Sequence, residues 1–228
     1  MAQFSAAAQS IVTDPSTISD YSSQALTILR DGSTFQWYVI PFLLIVLYIY
    51  TKQVSEQKWS VVLGGLALWG CDWFNEIWNG LVFYFTQHAP VWGAPSGDTA
   101  YLLLIGLNIE ICFMFAVMGV VAMLSLPEDR HMKIFGINNR IVMVIGFTTA
   151  AMLVEMWLNA VGALTWEYSW WNTRSPWLLW VIGYSYFFIV GFWVHDMKKI
   201  RNKLITVGTI FGVDIVSLIV FGGILGWI

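Results

Sequence analysis

Six long apolar stretches, at roughly 35–51, 59–86, 99–126, 140–166, 176–195 and 204–228, alternate with short polar segments. A helix needs about 20 apolar residues to cross the hydrocarbon core of a bilayer. The pattern therefore predicts an all-α, polytopic, six-helix transmembrane bundle. Pro41 falls inside the first stretch, where packing against neighbouring helices can satisfy the freed backbone. The polar residues 1–34 form a separate N-terminal segment ahead of a transmembrane domain at 35–228. Within it Ile18, Tyr21, Ala25 and Ile28 repeat at helical spacing, with Asp14 as N-cap, Pro15 at the first helical position and Gly32 as the stop. This short amphipathic, interfacial helix could act as a lid over an opening, or simply pack on the outer surface. Residues 1–12 lack the basic and apolar regions of a signal peptide. No internal repeat or low-complexity segment is evident, so an inverted-repeat transporter gains no support.

Charge then orients the spans. Of eleven basic residues, Lys52, Lys58, Arg130, Lys133, Arg140, Lys198, Lys199, Arg201 and Lys203 follow spans 1, 3 and 5, whereas only Arg30 and Arg174 lie on the other side. The positive-inside rule puts loops 52–58, 130–140 and 198–203 on the cytoplasmic side and both termini outside. Composition agrees with a multi-pass membrane protein. Hydrophobic residues make up 58% and charged residues 11%, and the mean hydropathy is +0.68. Soluble domains carry about 25% charged residues, so lipid must cover most of this surface. A net charge of −3 without a basic stripe argues against nucleic acid as a partner. Oligomeric state is not readable. The chain is tryptophan-rich, with 14 residues. Trp92, Trp166, Trp170, Trp171 and Trp177 read as an aromatic belt at span ends, whereas Trp73, Trp78 and Trp157 fall deeper, beside acidic residues.

Five carboxylates lie within spans: Asp72, Glu76, Glu110, Glu155 and Asp214. Each such charge costs about 2.5–3.5 kcal/mol on insertion scales. Asp72, Asn75, Glu76 and Asn79 follow i, i+3, i+4, i+7 and share one helical face. Glu155 and Asn159 are four apart in span 4. Asn108 and Glu110 are two apart in span 3, so they diverge by about 200°. Glu76, Glu110 and Glu155 lie about ten or eleven residues below the outer ends of their spans, at one depth, with Asp72 and Asp214 slightly deeper. No Lys or Arg inside a span neutralises them. Some are then expected to stay protonated through desolvation and mutual repulsion, and a neutral carboxylic acid in an apolar cavity can donate a proton. The plainer alternative is that each acid and Asn hydrogen-bonds across helices and holds the bundle together.

Several chemistries are disfavoured. A retinal Schiff base needs a lysine within a span. His88, His131 and His195 lack the pairing of haem or di-iron sites, and no GxSxG motif occurs. Cys71 and Cys112 sit in apolar runs, away from any CxxC spacing. No cofactor is expected, although carboxylates alone could bind a divalent cation.

The segment Cys71-Asp72-Trp73-Phe74-Asn75-Glu76-Ile77 resembles the second helix of the integral-membrane terpene cyclases of fungal meroterpenoid and indole-diterpene pathways. Asp214 matches an acidic residue in that family's last helix. Asn75 stands where the family has Trp, the spans number six rather than seven, and the N-terminal segment is longer. The resemblance implies acid-initiated chemistry on a prenyl chain, with aromatic faces stabilising a carbocation.

The reading that emerges is a membrane-embedded enzyme using acid catalysis on an apolar, prenyl or terpenoid, small-molecule substrate. Glu76 and Asp214 would be the acids, tuned by Asp72, Glu110 and Glu155. Trp73, Asn75, Trp78, Asn79, Asn108, Trp157 and Asn159 would bind substrate, and no metal site is assigned. The alternative is a proton or cation transporter, or a membrane subunit of a larger complex, using the same acids.

Overall fold

A computed structural model describes residues 4–228. Helix α1 (Asp20–Ile28) is shorter than the sequence pattern predicts, because Ser19 caps it by accepting from the Ser22 N–H at 3.1 Å. Asp14 instead accepts from the Ser16 N–H at 2.9 Å, making a local turn that competes with helix. Nor does Gly32 end the helix. The chain leaves at Leu29, which pairs with Leu102, and Gly32–Thr34 is a separate 3-10 turn. Ala25, Leu26 and Leu29 bury against Ile11, Phe83, Ala94 and Ile105. Gln87, in a left-handed conformation (φ 49°) after the third helix, clasps this segment. Its amide donates to the Ile11 carbonyl at 3.0 Å and accepts from the Thr13 N–H at 2.8 Å.

Six further helical stretches follow: α2 (Val39–Ser55), α3 (Trp59–Thr86), α4 (Ile109–Leu124), α5 (Asn139–Ala160), α6 (Pro176–Asp196) and α7 (Ile200–Ile224). Helices α5, α6 and α7 are long and apolar enough to cross a membrane. Helices α2 and α4 are apolar but span 17 and 16 residues, and α3, at 28 residues, carries the polar stripe that lowers its hydropathy. The expectation of six equivalent long spans is thus met in part.

Two expected spans are shortened for identifiable reasons. Leu102–Leu104 (β1) and Leu107–Asn108 (β2) form a hairpin, so α4 starts at Ile109 rather than near residue 99. The hairpin buries one face fully, with Leu102 at 1%, Leu104 at 4% and Leu107 at 0% exposure, and half-buries Leu103 on the other. A continuous apolar run of that kind cannot be told from helix by periodicity. After Ala160 the chain turns at Gly162 (φ 76°) and pairs Thr165 with Gly93, which ends α5 before residue 166. A second hairpin, β3 (Lys133–Ile134) and β4 (Ile137–Asn138), precedes α5. Ile105-Gly106-Leu107-Asn108 and Phe135-Gly136-Ile137-Asn138 are a short repeat that the sequence reading overlooks. In each, the Asn side chain caps the next helix, Asn108 accepting from Ile111 N–H and Asn138 from Arg140 N–H, both at 2.8 Å.

Helix α3 is the hub. On α4, a Cβ at Gly119 would lie 2.6 Å from the Gly65 carbonyl oxygen, and one at Gly64 would lie 3.0 Å from the Gly191 carbonyl oxygen on α6. Backbones approach this closely only where small residues meet. Around the contact Leu68, Phe115, Val120, Met123, Phe187 and Phe192 form the main apolar core. At the end carrying the basic residues, Arg140 grips Asp196 with two bonds of 2.8 and 2.9 Å and donates to the Pro127 carbonyl at 3.0 Å. The buried Lys203 ammonium donates to Ser60 Oγ and the His195 carbonyl. At the opposite end the N-terminal segment, loop 87–108 and loop 161–175 make a cap. It is tied by the Gly93–Thr165 pairing, with N–H to carbonyl distances of 3.0 and 2.8 Å, and by Arg30 donating to the Ile228 carbonyl oxygen at 2.9 Å.

Candidate functional site

The α3 stripe points inward because its i, i+3, i+4, i+7 spacing stacks its members on one face. Asp72, Glu76 and Asn79 are buried at 2%, 4% and 0% exposure, and Asn75 is half-buried. Asn79 contributes structure. Its Oδ1 accepts from Val91 N–H at 2.7 Å and Trp92 N–H at 3.3 Å, and its Nδ2 donates to the Trp92 carbonyl at 2.7 Å. That clamp brings the Trp92 indole over Glu76, where Nε1 donates to Oε1 at 2.8 Å. Gly106, at the β1–β2 turn, is pressed against the same place. A Cβ there would clash with Asn79 Nδ2 and lie 2.8 Å from Glu76 Oε2.

Glu155 arrives from α5, buried at 5% exposure, and its Oε1 accepts from the Trp166 indole at 2.9 Å. Tyr184 arrives from α6, where residues 179–185 are wound as a π-helix. Such widened turns are often found at functional sites. Here the widening lets Gly183 sit against Trp171 while the Tyr184 ring lies parallel to Phe115, with centroids 6.4 Å apart.

Asp72, Asn75, Glu76, Glu155 and Tyr184 line one small chamber of about 40 Å³. Asp72 Oδ2 and Glu76 Oε2 have no hydrogen-bond partner among the described residues, and no Lys or Arg lines the chamber. Beside it runs an apolar groove of about 230 Å³ between α4 and α5, lined by Met114, Met118, Val154 and Leu158. Ile111, Phe115, Glu155, Leu164 and Tyr184 border both spaces. The groove exists because α4 and α5, consecutive in the chain, scarcely touch along their lengths.

The other sequence-selected residues lie elsewhere. Asp214 on α7 is 3% exposed and both its oxygens lack partners among the described residues, but it sits beside Gly70, on the flank of α3 outside the chamber lining. Glu110 is not eleven residues deep. It occupies the first turn of α4, where it accepts from Thr99 Oγ1 at 2.7 Å, Ala100 N–H at 2.6 Å and the Tyr38 hydroxyl. Helix α5 ends early, so Glu155 lies five residues before its end rather than eleven. Asn108 caps α4, and Asn159 Nδ2 donates to the Leu164 carbonyl at 3.0 Å to close the turn after α5. Trp73 packs with Ile77 and Leu103 outside the chamber, Trp78 is 39% exposed but within 6.1 Å of the Trp92 ring, and Trp157 is 62% exposed and faces outward. Conversely, Trp92 and Trp166 are not only belt residues, since their indoles serve the buried carboxylates. Tyr184 gives no sequence signal, whereas Gly106 belongs to the first half of the Ile105–Asn108 and Phe135–Asn138 repeat. Among the described residues, no group of three or more His, Cys, Asp or Glu is arranged to hold a metal ion.

Residues 19–223 match the model of a family described as an uncharacterized membrane protein family. A protein of Archaeoglobus fulgidus, described as uncharacterized, is 55% identical over 207 residues, 91% of this chain and 98% of its own length. A second, shorter A. fulgidus protein with the same description is 47% identical over 53 residues, 23% of this chain and 95% of its own. No solved structure matches the chain. The chain belongs to this uncharacterized family of membrane proteins.

Proposed function

We propose that the protein is a membrane-embedded enzyme whose buried carboxylates donate a proton to an apolar substrate. The observation that carries this reading is the meeting of Asp72, Glu76 and Glu155 in one chamber that no Lys or Arg lines, directly beside an apolar groove. Three carboxylates so close in a low-dielectric site cannot all be ionised, so at least one holds a proton. Glu155, which borders both spaces, is the acid that meets the substrate. Glu76 and Asp72 sit behind it as the proton reserve. Asp214, outside the lining, is given no direct role. Phe115, Tyr184 and Trp92 offer aromatic faces to a developing cation. A prenyl or terpenoid chain is a substrate of the required kind, in keeping with the resemblance carried by residues 71–77.

In this reading the bundle crosses the membrane six times, with the basic loops at 52–58, 130–140 and 198–203 on the cytoplasmic side. The shorter α4 is extended by its hairpin, and the start of α2 is tied to the cap by the Gln36 N–H donating to the Ala100 carbonyl at 3.2 Å. A proton or cation pathway is less well supported. Between the chamber and the basic end lies the apolar core of Leu68, Val120, Met123, Phe188 and Phe192, beside which the hydroxyls of Tyr50 and Tyr186 are tied to backbone carbonyls and Thr148 is a lone buried hydroxyl on α5 among the described residues.

Infrared spectroscopy tests the central point. At neutral pH the purified protein should show the carbonyl stretch of a protonated carboxylic acid, altered by Glu76→Gln and by Glu155→Gln. Mass spectrometry of products from a polyprenyl alcohol or a total membrane lipid extract should show turnover that both substitutions abolish in folded protein. A spectrum with no protonated carboxyl, or undiminished turnover in both variants, sinks the proposal.

A further inference from the structure

The α4/α5 seam changes character along its length. Above the apolar groove, at the capped end, lies an open polar pocket of about 400 Å³, lined by Ser96, Asp98, Asn108, Glu110 and the Val161–Ala163 turn. Asn108 and Glu110 begin α4, and Val161–Ala163 follows α5. One turn further down, Ile111 and Leu158 already belong to the apolar groove. The two spaces therefore lie end to end between the same two helices, polar at the mouth and apolar beneath, with Glu155 at the inner wall.

We propose that this seam binds an amphiphilic lipid, its uncharged hydroxyl-bearing headgroup in the polar pocket and its chain in the groove. The inference rests on the enzyme reading only for what happens to the chain, and it gives the substrate a headgroup. Charge decides the class of head. Asp98 and Glu110 line the pocket and no Lys or Arg does, so a phosphate or carboxylate head meets two carboxylates and no cation. Glu110 is already engaged by three donors, and Asp98 is exposed, where a single ion pair with an amine gains little. Hydroxyl groups suit what is left: one open carboxylate, the Ser96 hydroxyl and turn carbonyls. Geometry adds a ruler. Glu155 lies six residues below Val161, so the chain position facing it is about 9 Å below the headgroup.

Binding of three probes sharing one chain to the protein held in amphipol tests this: monooleoylglycerol (neutral), oleate (anionic) and oleylamine (cationic). Monooleoylglycerol is expected to bind at least about tenfold more tightly than either charged probe, a gap of about 1.4 kcal/mol. Val154→Trp, which fills the groove from a partly exposed position, should lose about the same factor, and Asp98→Ala should weaken the neutral probe and narrow its margin over oleate. Equal or tighter binding of either charged probe overturns the headgroup assignment, and undiminished binding to Val154→Trp overturns the placement of the chain. Glu155→Gln should still bind monooleoylglycerol. Binding that survives while no protonated carboxyl is found would leave the lipid site standing without the acid mechanism. Lost selectivity with the carboxyl signal intact would remove the lipid site alone.

Discussion

Asn79 is uncharged, yet three backbone groups of Val91 and Trp92 depend on its side chain. Replacing it by Leu strands those groups in a site with no exposure. Each unsatisfied buried group costs about 1–3 kcal/mol, so Asn79→Leu should lower stability by several kcal/mol, read as a marked drop in the midpoint of thermal unfolding in detergent. An unchanged midpoint would mean that the clamp is not structural. The stripe that contains Asn79 was legible in the sequence, because a period of 3–4 residues forces Asp72, Glu76 and Asn79 onto one face. The donors were not. Trp92 lies 16 residues after Glu76, and Trp166 lies 11 after Glu155, both on irregular segments. Neither has a periodic relation to its partner, so the aromatic-belt reading absorbed them. For Glu110 the opposite holds: the apolar hairpin before it reads as more helix, which puts the residue deeper than the first turn of α4 where it lies.

At the scale of elements, the helical stretches were readable from hydropathy, whereas the hairpins between them were not. Strands of two or three residues are too short to show alternation. What the hairpins do is deliver Asn108 and Asn138 to their capping positions. Asn138→Ala should weaken the start of α5 by about 1 kcal/mol, seen as faster amide hydrogen exchange through residues 139–143. The glycine contacts make a stronger prediction. Gly119→Ala drives a methyl group to 2.6 Å from the Gly65 carbonyl oxygen, and such overpacking costs about 1–3 kcal/mol. The change should therefore lower the unfolding midpoint, while alanine at Gly146, which has open space around it, should leave it nearly unchanged. Similar losses at both positions would count against close α3–α4 packing.

For the whole molecule, the opposite ends of the bundle differ in chemistry as well as in loops. Arg140, Asp196, His195 and Lys203 form a tight polar knot at one end, and at the other a cap of three segments covers the carboxylates. Sidedness follows if the basic end faces the cytoplasm. A cysteine at Phe135, 97% exposed on its hairpin, should react with an impermeant maleimide only after the cells are opened, and one at Ser96 should react in intact cells. The native Cys71 and Cys112 are buried and should stay silent. The opposite labelling pattern would invert the topology. One asymmetry in the packing also bears on how the protein could work. Helices α3, α4 and α6 are locked backbone to backbone at their glycines, whereas α5 buries only Asn139, Thr148, Ala151 and Glu155. A guest too bulky for the seam meets backbone-to-backbone contact on the trio's side and looser packing on the side of α5, and α5 is the wall that carries the glutamate.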